Sequence, residues 1–457
     1  MERIQRENRK GWVVGLLSAL IWGLGQFVNR QYLKGLLFLG IGGAVLMTEW
    51  VTGRYVYLVD GFQISEHGGF FVKGIWGLLT LGTEPRTMGV SGLSGGDHSI
   101  VLMVNGIIAV LFLMIILFFY CWNIRDAVKV RKKMVLSGEH AESSLSYFSK
   151  LWESMYAYLV LSPGLILLLF VSVLPITFGI MIAFTDYTRS NIPPTNLVSW
   201  VGLENFKVLV EVSSWMNTFL GVLGWTVAWA VLATVTTYFF GFFQAVIIND
   251  PVVKFKRVWR SIYILPWAIP AMISALVFRS MFNGQFGPVS QFLMDIGLTS
   301  ERIYWFTDPA NPNLARVLAL TINLWLGFPY FMALISGTLT NISESYYEAA
   351  RIDGATNLQM FRNITFPFVY KATAPLIILA FVNNFNNFGV IYFLTSGGPS
   401  NPGYQFAGST DLLITWLYKL TLDNRLYNMG AVMSMIVFVI VGAFSLWNLK
   451  RAKVFED

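Results

Sequence analysis

Eight long apolar stretches dominate the sequence, at about 35–52, 101–122, 156–184, 217–248, 258–282, 314–340, 374–394 and 429–449. About 20 such residues in a helix cross the roughly 30 Å hydrocarbon core of a bilayer, so each stretch predicts a membrane-spanning helix. Composition agrees: 55% of the 457 residues are hydrophobic and only 12% are charged, against about 25% charged in ordinary soluble domains. A chain this poor in polar surface cannot cover itself in water, which excludes soluble enzymes and disordered proteins. The expected fold class is all-α, a polytopic membrane protein.

Lys and Arg set the orientation, because cytoplasmic connections are enriched in them. With residue 1 in the cytoplasm, 22 of the 32 fall in the connections 1–10, 29–34, 123–155, 249–261, 341–373 and 449–457. The other connections, 53–100, 185–216, 283–313 and 395–428, hold eight, and Arg279 and Arg316 lie near outer span ends. Both termini are then cytoplasmic. The net charge of +7 does not point to nucleic acid, which needs basic residues gathered on one face. Cys121 and the three histidines, His67, His98 and His140, offer no disulfide and no metal-ligand spacing.

A ninth apolar stretch, 11–28, breaks this parity if it crosses, since Arg3, Arg6, Arg9 and Lys10 would then lie outside. Gly11, Gly15, Gly23 and Gly25 interrupt it and both flanks are basic, so it reads as a re-entrant or interfacial hairpin. The alternative is a signal peptide, but Gln26-Phe27-Val28-Asn29-Arg30 offers no small-x-small cleavage site. The chain therefore divides into an N-terminal extension 1–122 carrying two spans, a basic cytoplasmic linker 123–155, and a six-span core 156–457. The longest outer loop, 53–100, is Gly-rich and shows no strong periodicity. Function must reside in the spans or on their cytoplasmic connections.

Ionisable residues within a membrane usually mark proton or ion pathways, and the core spans have no central Asp, Glu, Lys or His. They carry neutral amides and aromatics instead: Asn323 to Tyr330, which includes Trp325, and Asn383-Asn384-Phe385-Asn386-Asn387-Phe388. Amides donate and accept at once, matching hydroxyls, and aromatic faces cover the apolar faces of a sugar ring. At helical spacing Asn383 and Asn384 each share a face with Asn387. The alternative is that these amides bond helix to helix, for about 0.6–2 kcal/mol per contact. Gly327 and Pro329 suggest a locally broken helix, and Pro266 and Pro270, four apart, predict a kink.

The connection 341–373 reads as helix, turn, helix. Good helix formers run up to Gly354, a C-terminal cap, and a second amphipathic segment ends before Pro367. Such a knob suits a socket on a soluble partner, although by itself it could be a solvated connector. Here the sequence becomes recognisable: Glu348-Ala349-Ala350, Arg351-Ile352-Asp353 leading to Gly354, then Ile364 and Pro367, resembles the EAA loop of ABC importer permeases. The resemblance extends from about 156 to 457, includes Gly202-Leu203-Glu204-Asn205-Phe206, and is similar to the maltose/maltodextrin, MalF-like type.

The resemblance implies a type I importer. Its parts are two permease subunits, the second MalG-like, two ATPase subunits that hold ATP and Mg, and an extracellular sugar-binding protein. This chain has no Gly-x-x-x-x-Gly-Lys pattern, so it binds no cofactor itself. Glu348 would anchor the loop to the ATPase, with Ala349, Ala350, Asp353, Gly354 and Pro367 completing the coupling set. The family's sugar site falls on Trp267, Asn323, Leu326, Gly327, Tyr330, Asn384 and Asn387, with Asn383 and Ala380 adjoining. Trp267 stands where the type commonly has Tyr, and Asn383 where it has an aromatic, so one stacking surface is enlarged and another replaced by an amide, which bears on the preferred sugar length or linkage. Loop 185–216 lacks the large domain of the enterobacterial subunit, which points to a Gram-positive or related source. The expected function is an oligosaccharide importer permease of the plasma membrane. A secondary sugar carrier needing no ATPase and a helix scaffold are the alternatives.

Overall fold

The computed structural model describes residues 2–55, 68–86, 88–89, 92–93, 96–137 and 144–451. Apart from a hairpin of Met88–Gly89 with Gly92–Leu93, the described elements are helices. The chain forms two compact units, Met1–Asn205 and Phe206–Asp457, a different division from the extension, linker and core read from composition. Outer loop 53–100 and linker 123–155 lie partly outside the described residues.

The first unit contains α1 (Glu2–Leu20), α2 (Leu24–Val28), α3 (Tyr32–Tyr55), α4 (Phe70–Thr80), α5 (Ser99–Ser137), α6 (Ser144–Leu168) and α7 (Leu174–Ile182), the last two joined by a π-helical turn. Spans form at Tyr32–Gly53, Ser99–Val135 and Met155–Ile182, where the apolar stretches predict them. Helix α5 has 39 residues, about 58 Å at 1.5 Å per residue, so it outruns the hydrocarbon. The linker therefore starts as a continuation of this helix rather than as a loop.

Helix α1 runs antiparallel to that continuation: Gly11 faces Lys132, Gly15 faces Val128, and the Tyr120 hydroxyl donates to the Ala19 carbonyl. It reaches the depth of Tyr120, and α2 turns the chain back into α3. The chain thus reverses direction between α1 and α3. A buried polar cluster holds the turn. Asn123 accepts from the Gly23 N–H at 3.2 Å and donates to the Ser18 carbonyl at 3.0 Å, and Gln26 donates to the Asn123 carbonyl at 2.8 Å. At its centre Lys34 Nζ sits 3.1 Å from Asp126 Oδ1, and the two side chains are only 2% and 8% exposed.

The connection 53–100 contains structure that its sequence hid. Helix α4 is apolar and packs along α5, with Phe70 edge-on to Phe112 at 6.2 Å. Its first N–H groups have no partner within the helix, and Glu49 of α3 supplies one. Its carboxylate accepts from Gly69 and Phe71 N–H, each at 2.7 Å, while Thr52 Oγ1 accepts from Phe70 N–H at 2.7 Å. Charge-assisted bonds of this kind contribute about 1.5–3 kcal/mol each. Glu49→Leu should therefore release the start of α4, read as faster amide exchange at 69–72 in the detergent-solubilised protein. Unchanged protection there would remove the cap.

The second unit begins within α8 (Glu204–Glu211) and continues with α9 (Ser213–Asn249), α10 (Lys256–Ala268), α11 (Ala271–Met281), α12 (Pro288–Asp295) and α13 (Pro312–Leu339). It ends with α14 (Glu344–Ile352), α15 (Asn357–Met360), α16 (Phe366–Phe385), α17 (Phe388–Thr395), α18 (Leu413–Tyr418) and α19 (Tyr427–Arg451). Long spans form at Ser213–Asn249, Pro312–Leu339 and Asn357–Thr395, and a shorter apolar helix covers Tyr427–Ala443. The predicted kink between Pro266 and Pro270 is a bend of 86° between α10 and α11. Pro270 disfavours helical geometry at Ile269, whose φ −92 and ψ 133 are extended.

The expected break at Gly327 and Pro329 is absent: α13 is continuous over 28 residues. Gly327 serves close packing instead, since a Cβ there would stand 2.9 Å from Thr237 Cγ2 of α9. Two apolar clusters form the core. One joins Trp229, Ala275, Phe306, Leu326 and Leu394, and the other joins Tyr238, Phe242, Phe331, Ile335 and Val369.

Candidate substrate site and coupling loop

Asn323, Leu326, Gly327 and Tyr330 recur at i, i+3, i+4 and i+7, so they form one stripe along α13. Asn323 is buried at 6% exposure, and its Oδ1 accepts from Asn387 Nδ2 at 3.4 Å. The helical spacing that seemed to align Asn383, Asn384 and Asn387 does not run through, because α16 ends at Phe385. Asn387 is instead the N-cap of α17, and its Oδ1 accepts from Val390 N–H at 3.2 Å. The break itself turns Asn387 towards Asn323.

Asn384 donates to Thr234 Oγ1 of α9 at 3.0 Å. Asn384 and Asn387 flank the break between α16 and α17, so three amides and a hydroxyl form a polar layer where these helices meet α9 and α13. Among the described residues the side-chain Nδ2 of Asn323 and the side-chain Oδ1 of Asn384 take no hydrogen-bond partner, which leaves a donor and an acceptor for a ligand. Asn383 is exposed and its side chain makes no hydrogen bond among the described residues, and Ala380 packs on the second cluster.

Farther along the α13 stripe, Tyr330 faces Trp267 with ring centroids 6.3 Å apart and planes tilted 47°. Trp267 stands at the end of α10, beside the bend, and is 59% exposed. Seven residues separate Asn323 from Tyr330, about 10.5 Å along the helix. Trp325 lies apart: two residues from Asn323, it projects from another face of α13 and packs on Phe328 at 5.8 Å.

The loop 341–373 is helix, turn, helix. Gly354 has φ +76, and Ala355 N–H donates to the Ala350 carbonyl at 2.9 Å, a Schellman-type stop for α14. Thr356 starts α15 with a reciprocal capping box to Gln359. Glu348, Ala349, Asp353 and Gly354 are exposed, Ala350 and Pro367 are half-buried, and Pro367 opens the first turn of α16. Ile352 is 87% exposed and Leu358 74%, an apolar tip on an otherwise polar knob. The base, in contrast, is anchored. Tyr347 and Thr365 share a hydroxyl hydrogen bond at 2.8 Å, and Phe242 of α9 packs on Phe361 at 5.6 Å and Phe366 at 5.8 Å.

Residues 237–452 match the family described as binding-protein-dependent transport system inner membrane component. The galactooligosaccharides transport system permease protein GanP of Bacillus subtilis (strain 168) is 36% identical over 446 residues, covering 97% of this chain and 98% of that one. The maltodextrin transport system permease protein MdxF of the same organism is 36% identical over 460 residues, covering 99% and 98%. The chain belongs to the MalF-like permeases of binding-protein-dependent ABC importers. It is a multi-pass membrane transport subunit.

The permease also shares its fold with a crystal structure of a bacterial ABC transporter involved in the import of the acidic polysaccharide alginate. The TM-score is 0.54 at 22% identity, over 68% of this chain and 99% of that one. Every site and coupling residue expected from the sequence falls within 237–452. Sequence reasoning missed Thr234, which looks like any small polar residue in an apolar span. Its signal was faint: Thr226, Thr234 and Thr237 recur on one buried side of α9.

Proposed function

We propose that this permease forms half of a translocation pathway for oligosaccharides, of the maltodextrin or a related type, and opens alternately to the two sides of the plasma membrane. The observation that carries this reading is the uncharged amide layer of Asn323, Asn384 and Asn387, set about 10.5 Å along α13 from the Trp267–Tyr330 aromatic pair. Hydroxyls find donors and acceptors at one end, and ring faces find an apolar surface at the other. The names of GanP and MdxF support the substrate class.

A second permease completes the pathway, two ATPase subunits supply ATP hydrolysis with Mg, and an extracellular sugar-binding protein delivers the ligand. The core 156–457 contributes six spans, both termini are cytoplasmic, and the source is Gram-positive or related. In this reading the exposed knob of α14 and α15 seats in an ATPase. Displacement of its base pushes on Phe242, and so on α9.

The test is uptake by the four-component importer with its binding protein in proteoliposomes. ATP-dependent oligosaccharide accumulation is expected; accumulation driven by an ion gradient without nucleotide would overturn the proposal. Gly354→Val forces a β-branched residue into left-handed backbone, at about 1–2 kcal/mol. With Glu348→Ala it should sharply lower uptake and leave membrane insertion intact. Normal uptake by the double variant would remove the coupling role.

A further inference from the structure

A cavity of about 410 Å³ opens at the outer end of α11 and α17, lined in part by Arg279, Asn283, Gln285, Tyr304, Phe306 and Thr395. We propose that it is an outer carbohydrate subsite, which receives the end of a longer oligosaccharide whose other end occupies the amide layer. The proposal rests on the oligosaccharide reading above.

Size and position come first. Thr395 closes α17 and Asn387 caps its start, so the cavity lies about 12 Å beyond the amide layer along one rigid helix. A small-ligand pocket typically measures about 300–1,000 Å³, and this one is at the small end, room for a ring or two rather than a whole chain.

Its chemistry is two-sided in the way a sugar ring is. The aromatic wall is braced: Phe282 packs edge-on to Trp305 at 5.3 Å, and the Trp305 indole N–H donates to Ser290 Oγ at 2.9 Å. Tyr304 stands at this wall with 46% of its surface exposed, a ring face left open for stacking. Beside it, Asn283 Oδ1 accepts from Gln285 and Phe286 N–H at 2.9 and 3.0 Å. That fixes the amide, and its nitrogen takes no partner among the described residues. The Gln285 side chain is likewise uncommitted among them. Arg279 donates to Ser396 Oγ at 3.0 Å and keeps further N–H groups for hydroxyls.

The α17 wall is held in place from outside. Thr395 and Thr410 share a hydroxyl hydrogen bond at 2.8 Å. The next residue, Asp411, accepts from Gly408 N–H at 2.7 Å and from Lys419 Nζ at 2.6 Å.

Chain-length dependence tests the proposal, with maltose and maltohexaose as probes for the complete importer in proteoliposomes. Tyr304→Ala with Gln285→Ala should raise KM for maltohexaose about fivefold and leave KM for maltose and both maximal rates unchanged; Tyr304→Trp alone should leave maltohexaose KM near wild type. Unchanged maltohexaose KM in the double variant overturns the subsite, and so does an equal change for the two sugars, which marks a structural or docking role. If neither maltose, maltohexaose nor galactooligosaccharides of matching length move through the wild-type importer, the carbohydrate reading itself fails, and the subsite with it.

Discussion

Sugar uptake is expected to stop when Asn384 and Asn387 are both replaced by Leu, while ATP hydrolysis stimulated by the binding protein persists. Asn387 donates to Asn323 and caps α17, and Asn384 donates to Thr234. Losing the cap alone costs about 1 kcal/mol, and an interhelical amide contact within a membrane is worth about 0.6–2 kcal/mol. A span this well packed tolerates losses of that size. The ligand does not: each hydroxyl left unpaired in a desolvated site costs about 1–3 kcal/mol. Two such losses lower affinity by about 30-fold to 10⁴-fold. Asn387→Ser separates the two roles, because Ser retains a capping oxygen but not the amide donor. It should weaken uptake without changing thermal stability. Unaltered transport and substrate range in the double Leu variant would mean that the amides join helices and do not touch sugar.

The second large effect is on stability. Lys34→Met should destabilise the first unit by about 3–5 kcal/mol, because it leaves the Asp126 carboxylate buried without its cation. The pair is closed to solvent at 2% and 8% exposure, and Gln26 Nε2 adds a neutral donor to Asp126 at 3.3 Å. A double variant, Lys34→Met with Asp126→Leu, removes both charges and should recover most of the loss, since apolar replacement of a whole buried pair is often neutral. Unfolding of the detergent-solubilised protein, followed by tryptophan fluorescence, reads both. If the single and double variants unfold alike, the ion pair does not hold the turn between α1 and α3.

Much of the fold was legible in the residues. Apolar runs located the spans because lipid demands about 20 apolar residues in a row. Gly354, with the helix formers before it, announced the turn after α14, because left-handed backbone favours glycine. Three features stayed hidden. Helix α4 lay inside a Gly-rich loop, and its N-terminal cap, Glu49, is some 20 residues away in sequence. Gly327 beside Pro329 suggested a break, whereas the glycine answers to Thr237 on another helix. Trp325 looked like part of the aromatic lining until the turn of α13 placed it on another face.

What the sequence by itself determined is the solvent the chain folds in and where its apolar helices lie; of the eight spans it predicts, six form as long apolar spans among the described residues, 258–282 is a bent pair and 429–449 is a shorter apolar helix. Those properties depend on composition and local period, which each segment carries alone. Only the tertiary structure decided which amides meet. Asn323, Asn384 and Asn387 converge because α16 stops at Phe385, α17 restarts at an N-cap, and α9 presents Thr234 opposite. Distance between side chains on different helices is a property of packing, and no local pattern encodes it.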